Sequence, residues 1–153
     1  MRIIIGLVLA ALVAGCAPPS PTAVTTGEAC WRCRRPIEKR VLAAEFVHTS
    51  TGFPAKFRTV RCLSTWLAQQ EALPKGHVYA TDYSTGEFVR AEQAAYVNVV
   101  INRQTMERDY IAFADPIAAA ALATEAGASA VGWEEILAVG RTANKEQRTT
   151  IGD

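Results

Sequence analysis

The sequence predicts an α+β fold, and three observations carry that reading. Short β-prone runs dominate the middle of the chain, helical stretches stand apart from them, and the two do not alternate one for one as a parallel α/β sheet requires. Composition allows a packed domain: of 153 residues, 50% are hydrophobic and 20% charged. That apolar content excludes a disordered chain. With 16 Lys+Arg against 15 Asp+Glu the formal charge is +1, which excludes nucleic acid as a partner on bulk electrostatics.

The elements follow in order. Arg2 precedes an apolar run from Ile3 to Val13, about half the length a bilayer-spanning helix needs, so residues 1–15 read as a signal peptide. Its end, Val13-Ala14-Gly15-Cys16, resembles the lipobox of bacterial lipoproteins. The resemblance implies a Cys16 carrying diacylglycerol and palmitate-type acyl chains. It also implies a lipid-anchored, periplasm-facing place in the cell envelope, at the outer membrane if the cell is Gram-negative. Residues 16–27, rich in Pro and Thr, are predicted to be a flexible tether. A single α+β domain is expected over 28–140, with possible sub-units 28–76 and 77–140, and a polar tail over 141–153.

Within the domain, Val41–His48 and Ala55–Val60 read as strands around a Ser50-Thr51-Gly52 turn. Leu63, Trp66, Leu67 and Gln70 recur at helical spacing, and Pro74-Lys75-Gly76 ends that helix. Val78–Tyr83, Glu87–Val89, Tyr96–Ile101 and Tyr110–Phe113 are further strands, with a helical turn near Ala91. Asp115-Pro116 opens the clearest helix, which runs to Gly127, because Asp caps and Pro suits the first helical position. A short last helix is expected from Trp133 to Val139, closed by Gly140.

Four cysteines carry the chemistry: Cys16 at the lipobox and Cys30, Cys33 and Cys62 in the domain. Cys30-Trp31-Arg32-Cys33 is a CxxC pair. Haem attachment is out, since Arg34 stands where His is required. A Cys30–Cys33 disulfide in a structural or interaction lipoprotein, and a thiol oxidoreductase, are the alternatives to a metal site. The disulfide leaves Cys62 unpaired. A soft-metal site uses all three thiols, and Cu(I) is content with two or three sulfur ligands. Structural zinc wants four protein ligands, for example Cys30, Cys33, Cys62 and His48, and is the less favoured metal.

Arg32, Arg34, Arg35, Lys39 and Arg40 crowd the pair and favour thiolates, or equally form a solvated face or docking patch. Cys62 is expected at a helix N-terminus, where the dipole acts in the same direction. Met106, the one methionine beyond the leader, lies in a polar stretch and is a possible thioether ligand. His48 and His77 read as surface residues. No acid–base pair or nucleophile–base set stands out, so the chain is not expected to be an enzyme.

The lipobox, tether, early CxxC, strand-turn-strand and Cys62-Leu63-x-x-Trp66-Leu67 helix resemble the NosL family of lipoproteins. So do Thr81-Asp82-Tyr83-Ser84-Thr85-Gly86-Glu87, Ala95-Tyr96-Val97, and Met106 followed by Ile111-Ala112-Phe113-Ala114-Asp115. The resemblance spans the domain to about Val139. It implies two ββα-type units similar to the organomercurial lyase fold, and a Cu(I)-binding accessory protein or metallochaperone serving nitrous oxide reductase or a similar cuproenzyme. The family's CxxC is usually followed by Gly-Met, where this chain has Arg34-Arg35. The site implied here is therefore Cys30, Cys33 and Cys62 with Met106.

Overall fold

The computed structural model describes residues 19–151, with side chains through Thr149. The leader and Cys16 lie outside the described residues. After a 3-10 turn at Arg40–Leu42 come β1 (Ala44–His48), β2 (Pro54–Phe57) and helix α1 (Val60–Ala68). Then follow β3 (Gly76–Thr81), β4 (Phe88–Arg90), β5 (Ala95–Asn102) and β6 (Glu107–Phe113). Helix α2 (Pro116–Glu125), β7 (Ala130–Val131) and α3 (Trp133–Ile151) complete the order. One antiparallel sheet runs β2-β1-β3-β4, the other β6-β5-β7. The mixed architecture is the α+β class expected.

Strand β1 is central, and its first four residues are all buried, because neighbours flank it on both edges and α1 covers a face. Phe46 stands opposite Ala55 on one side and Val78 on the other, and packs with Phe57, Leu63 and Leu67 in the main core. Each such side chain stabilises the fold by about 1.5–3 kcal/mol. A second core joins Val97, Ile111 and Phe113 to Ala119 and Ala123 of α2. Asp82 ties the two sheets together. Its carboxylate accepts from the Thr85 hydroxyl at 2.7 Å and from the Ala114 N–H at 3.1 Å, while the Tyr83 N–H donates to the Ala112 carbonyl at 2.8 Å.

Helix α2 begins as its sequence requires, with the Asp115 side chain accepting from the Ile117 N–H at 2.9 Å and Pro116 at the first position. Asp115→Ala is expected to cost about 1 kcal/mol in urea unfolding, and no loss would refute the cap. Elsewhere the boundaries moved. Strand β1 starts at Ala44 because Arg40–Leu42 closes into a turn, and Val60 opens α1 instead of ending β2 because Thr59 caps the helix. Helix α1 ends at Ala68, before the Pro74-Lys75-Gly76 stop is reached. Strands β3 and β4 extend the first sheet, so the chain does not divide into sheets between residues 76 and 77.

Two larger corrections concern the ends. The segment expected as a solvated tether is docked from Pro19 onward. Val24 is buried, the Tyr79 hydroxyl donates to the Pro19 carbonyl at 3.0 Å, and the Thr22 N–H donates to Glu45 at 2.9 Å. Glu45 is fully buried and needs those donors. At the other end, Gly140 does not stop a helix, and residues 141–151 continue it. A Cβ at Gly140 would lie 2.4 Å from the Ser64 carbonyl oxygen, so glycine is what lets α3 press on the α1 backbone.

Burial pushes the Glu45 carboxyl above its ordinary value, against the Thr22 bonds and the Lys56 charge. A carboxyl raised on folding contributes stability below its unfolded pKa, and that contribution is lost as pH rises through the folded value. Glu45→Gln is therefore expected to gain stability over the native chain near neutral pH, the gap closing as pH falls below the ordinary carboxylate range. Urea unfolding at several pH values measures it, and a pH-independent gap would contradict the assignment.

Candidate metal centre

The sulfurs of Cys30, Cys33 and Cys62 lie within 4.8 Å of one another. Local sequence explains how. Cys30 and Cys33 sit in a loop closed by the Cys30 N–H on the Arg35 carbonyl at 2.9 Å and the Arg34 N–H on the Cys30 carbonyl at 3.0 Å. A Trp31 N–H donated to the Lys56 carbonyl at 2.7 Å pins this loop to β2. Cys62 comes from the first turn of α1, where its N–H donates to the Thr59 hydroxyl at 3.3 Å. That turn aims its thiol back at the loop, 3.8 Å from the Cys33 sulfur.

All three cysteines are free thiols. Cys30 and Cys62 are buried and Cys33 is half-buried, so the cluster opens to solvent through Cys33. The Cys30 thiol is held well below the usual thiol range. The leading cause is the hydrogen bond from the Cys62 thiol; burial opposes it, and backbone N–H groups of Cys33, Arg58 and Arg32 add to it. Cys62 is pushed up, as the donor to that thiolate and by burial. The expected cause of acidity, the arginine cluster, is thus not the leading one.

A second layer holds the elements in place. Glu107 grips Arg58 at 2.8 Å and 3.4 Å and reaches Arg35 at 3.6 Å. The Arg58 guanidinium keeps the Glu107 carboxyl below its ordinary value. Asp109, buried in β6, accepts from the Arg61 N–H at 3.1 Å, the Tyr110 N–H at 2.7 Å and the Thr59 hydroxyl, fastening the start of α1. Burial pushes the Asp109 carboxyl up against those bonds. Thr59 was findable from sequence as a threonine three residues before Cys62 at a helix start. Asp109 and Glu107 carry no local signal, because their partners lie about fifty positions away.

The other expected ligands are His48 and Met106. His48 is not in the cluster; its ring packs edge-on against Phe46 at 4.7 Å, so the zinc set through His48 is not assembled. Met106 lies in the β5–β6 turn, 65% exposed, with a left-handed backbone (φ 55°). Among the described residues no His, Asp or Glu joins the three sulfurs.

Three converging thiols in a small α+β domain define a protein built to hold a soft metal ion. The chain belongs to the NosL family, whose model matches residues 21–138. Among solved structures it is similar to the copper chaperone NosL from Shewanella denitrificans, at 19% identity and a TM-score of 0.65 over 78% of this chain and 96% of that one. No curated protein matches the chain. Position 34, where the family motif usually has glycine, holds Arg34 in the left-handed region at φ 60°. For a residue other than glycine that backbone costs roughly 1–2 kcal/mol. The Arg34 guanidinium stacked 5.5 Å over the Trp31 ring offsets part of it.

Proposed function

We propose that this protein binds Cu(I) through Cys30, Cys33 and Cys62 and passes it to a cuproenzyme under assembly, nitrous oxide reductase or a similar enzyme, without catalysing a reaction itself. The approach of three sulfurs within 4.8 Å carries the proposal. Three sulfurs bonded at about 2.3 Å to one trigonal ion stand about 4 Å apart, so the apo cluster is already near the liganded spacing. A structural zinc site would require a fourth protein ligand. The copper chaperone with the same fold favours copper as well. In transfer, half-exposed Cys33 is the sulfur an incoming ligand meets first, while buried Cys30 and Cys62 keep hold until exchange is complete. The reduced chain is expected to take up one Cu(I) and to prefer it to Zn(II) in direct competition, and a preference for zinc would refute the reading.

Met106 completes the proposal as a thioether that meets copper from outside the cluster. A bulky residue in the left-handed region is strained, and such strain persists where function holds it. Met106→Gly is expected to stabilise the fold by about 1 kcal/mol while weakening Cu(I) retention, and Met106→Leu to weaken retention with stability unchanged. Retention in both variants equal to that of the native chain would remove Met106 from the site. The protein acts, in this reading, from the periplasmic face of a membrane through acylated Cys16. Cys16→Ser is expected to abolish palmitate incorporation and release the protein from the membrane fraction, and unaltered labelling would contradict it.

A further inference from the structure

The loop that carries Cys33 also carries an exposed rim. Trp31 is 40% exposed, and its ring meets Phe53, itself 47% exposed, edge-on at 5.5 Å. The Arg34 guanidinium lies over the Trp31 ring itself, 5.5 Å from its centroid. Arg35 has a side chain 60% exposed, and its carboxylate contact is Glu107 at 3.6 Å. Glu107 is already committed to Arg58 through two shorter bonds, so the Arg35 charge is largely uncompensated. A chain of formal charge +1 therefore concentrates cations and two aromatic rings beside the half-exposed sulfur of the cluster, Cys33. Trp and Arg are the residues that dominate protein interfaces when a partner covers them. An indole left partly in water next to a metal site is poorly used until something covers it.

We infer that this rim is the docking face for an acidic protein partner, one that sets carboxylates against Arg34 and Arg35 and an apolar side chain on Trp31 and Phe53. The partner brings its own thiol to the copper between them. The inference rests on the copper reading and names the partner's chemistry. A protein is favoured over an anionic membrane because a lipid headgroup offers no sulfur to accept the ion. In the first exchange copper stays Cu(I): a bond from copper to the partner sulfur forms, the bond to Cys33 breaks, and the partner's thiol proton ends on Cys33. The bonds to Cys62 and Cys30 then break in the same way as further partner thiols bind copper and give up their protons to those two sulfurs. Opposite charges speed encounter and fix register, and salt screens both.

The test uses the full chain and two synthetic peptides sharing one Cys-containing core, flanked in one by glutamates and in the other by lysines. At low salt the glutamate peptide is expected to bind at least tenfold more tightly by fluorescence anisotropy, with or without copper, and to take Cu(I) from the loaded protein at least tenfold faster. The advantage shrinks as salt rises. Arg35→Glu, and Arg34→Glu with Arg35→Glu, reverse the order, while Trp31→Ala weakens binding of both peptides and keeps the order. Equal binding of the two peptides overturns the inference. So does binding to phosphatidylglycerol vesicles that depends on Arg34 and Arg35 with no discrimination between peptides. Failure of copper uptake with intact peptide discrimination instead refutes the copper reading and leaves the docking face standing.

Discussion

Replacing Cys30 and Cys33 together with serine is expected to lower Cu(I) affinity of the reduced chain by at least about 100-fold, measured by titration against a competing chelator. Loss of a supporting residue around a metal typically costs 10–100-fold, and here two of three ligands go. Cys30 is the acidic member, steadied first by the Cys62 thiol and then by backbone N–H groups of Cys33, Arg58 and Arg32, against its burial. Cys62 alone would remain, buried on α1. The single variants are expected to differ. Cys33→Ser, which removes the half-exposed sulfur, slows handover to an acceptor more than it weakens binding, while Cys30→Ser weakens binding most. Unchanged affinity in the double variant would end the account.

Gly140→Ala is expected to destabilise the protein by about 2–3 kcal/mol in urea unfolding, although alanine is the better helix former. Helix propensity favours the change by about 1 kcal/mol. Against it, the new Cβ would sit 2.4 Å from the Ser64 carbonyl oxygen and 2.5 Å from its carbonyl carbon. Both are α1 backbone and have no flexible end to move aside, so α3 must lift away, and such overpacking costs more than the propensity returns. Ser64 is two residues from Cys62, so the same variant is expected to weaken Cu(I) binding, by less than the cysteine changes do. A variant as stable as the native chain would show that α3 does not rest on α1 as described.

Features encoded by near neighbours were legible in the sequence. Asp115-Pro116 opens α2 because a cap and a fixed φ act within three residues. Cys30 and Cys33 face one point because the loop between them is one turn long. That Cys62 joins them was readable only as a chemical inference, three thiols being better used together than one left over. What failed was long-range. Gly140 is a helix stop by local rules, and only Ser64 across the interface makes it a packing contact inside a helix. Thr22 and Val24 read as tether until buried Glu45 and the core supply their partners. Glu107 and Asp109 fell in a stretch read as polar, and their partners, Arg58 and the start of α1, are brought to them by the pairing of β5 with β6.

The most direct measurement is X-ray absorption at the copper edge of the reduced full chain loaded with one equivalent of Cu(I). The account predicts a sulfur shell of three thiolates at about 2.3 Å, reduced stepwise as Cys30, Cys33 and Cys62 are replaced one at a time by serine. A shell of nitrogen or oxygen donors, or a sulfur count indifferent to those replacements, would contradict it.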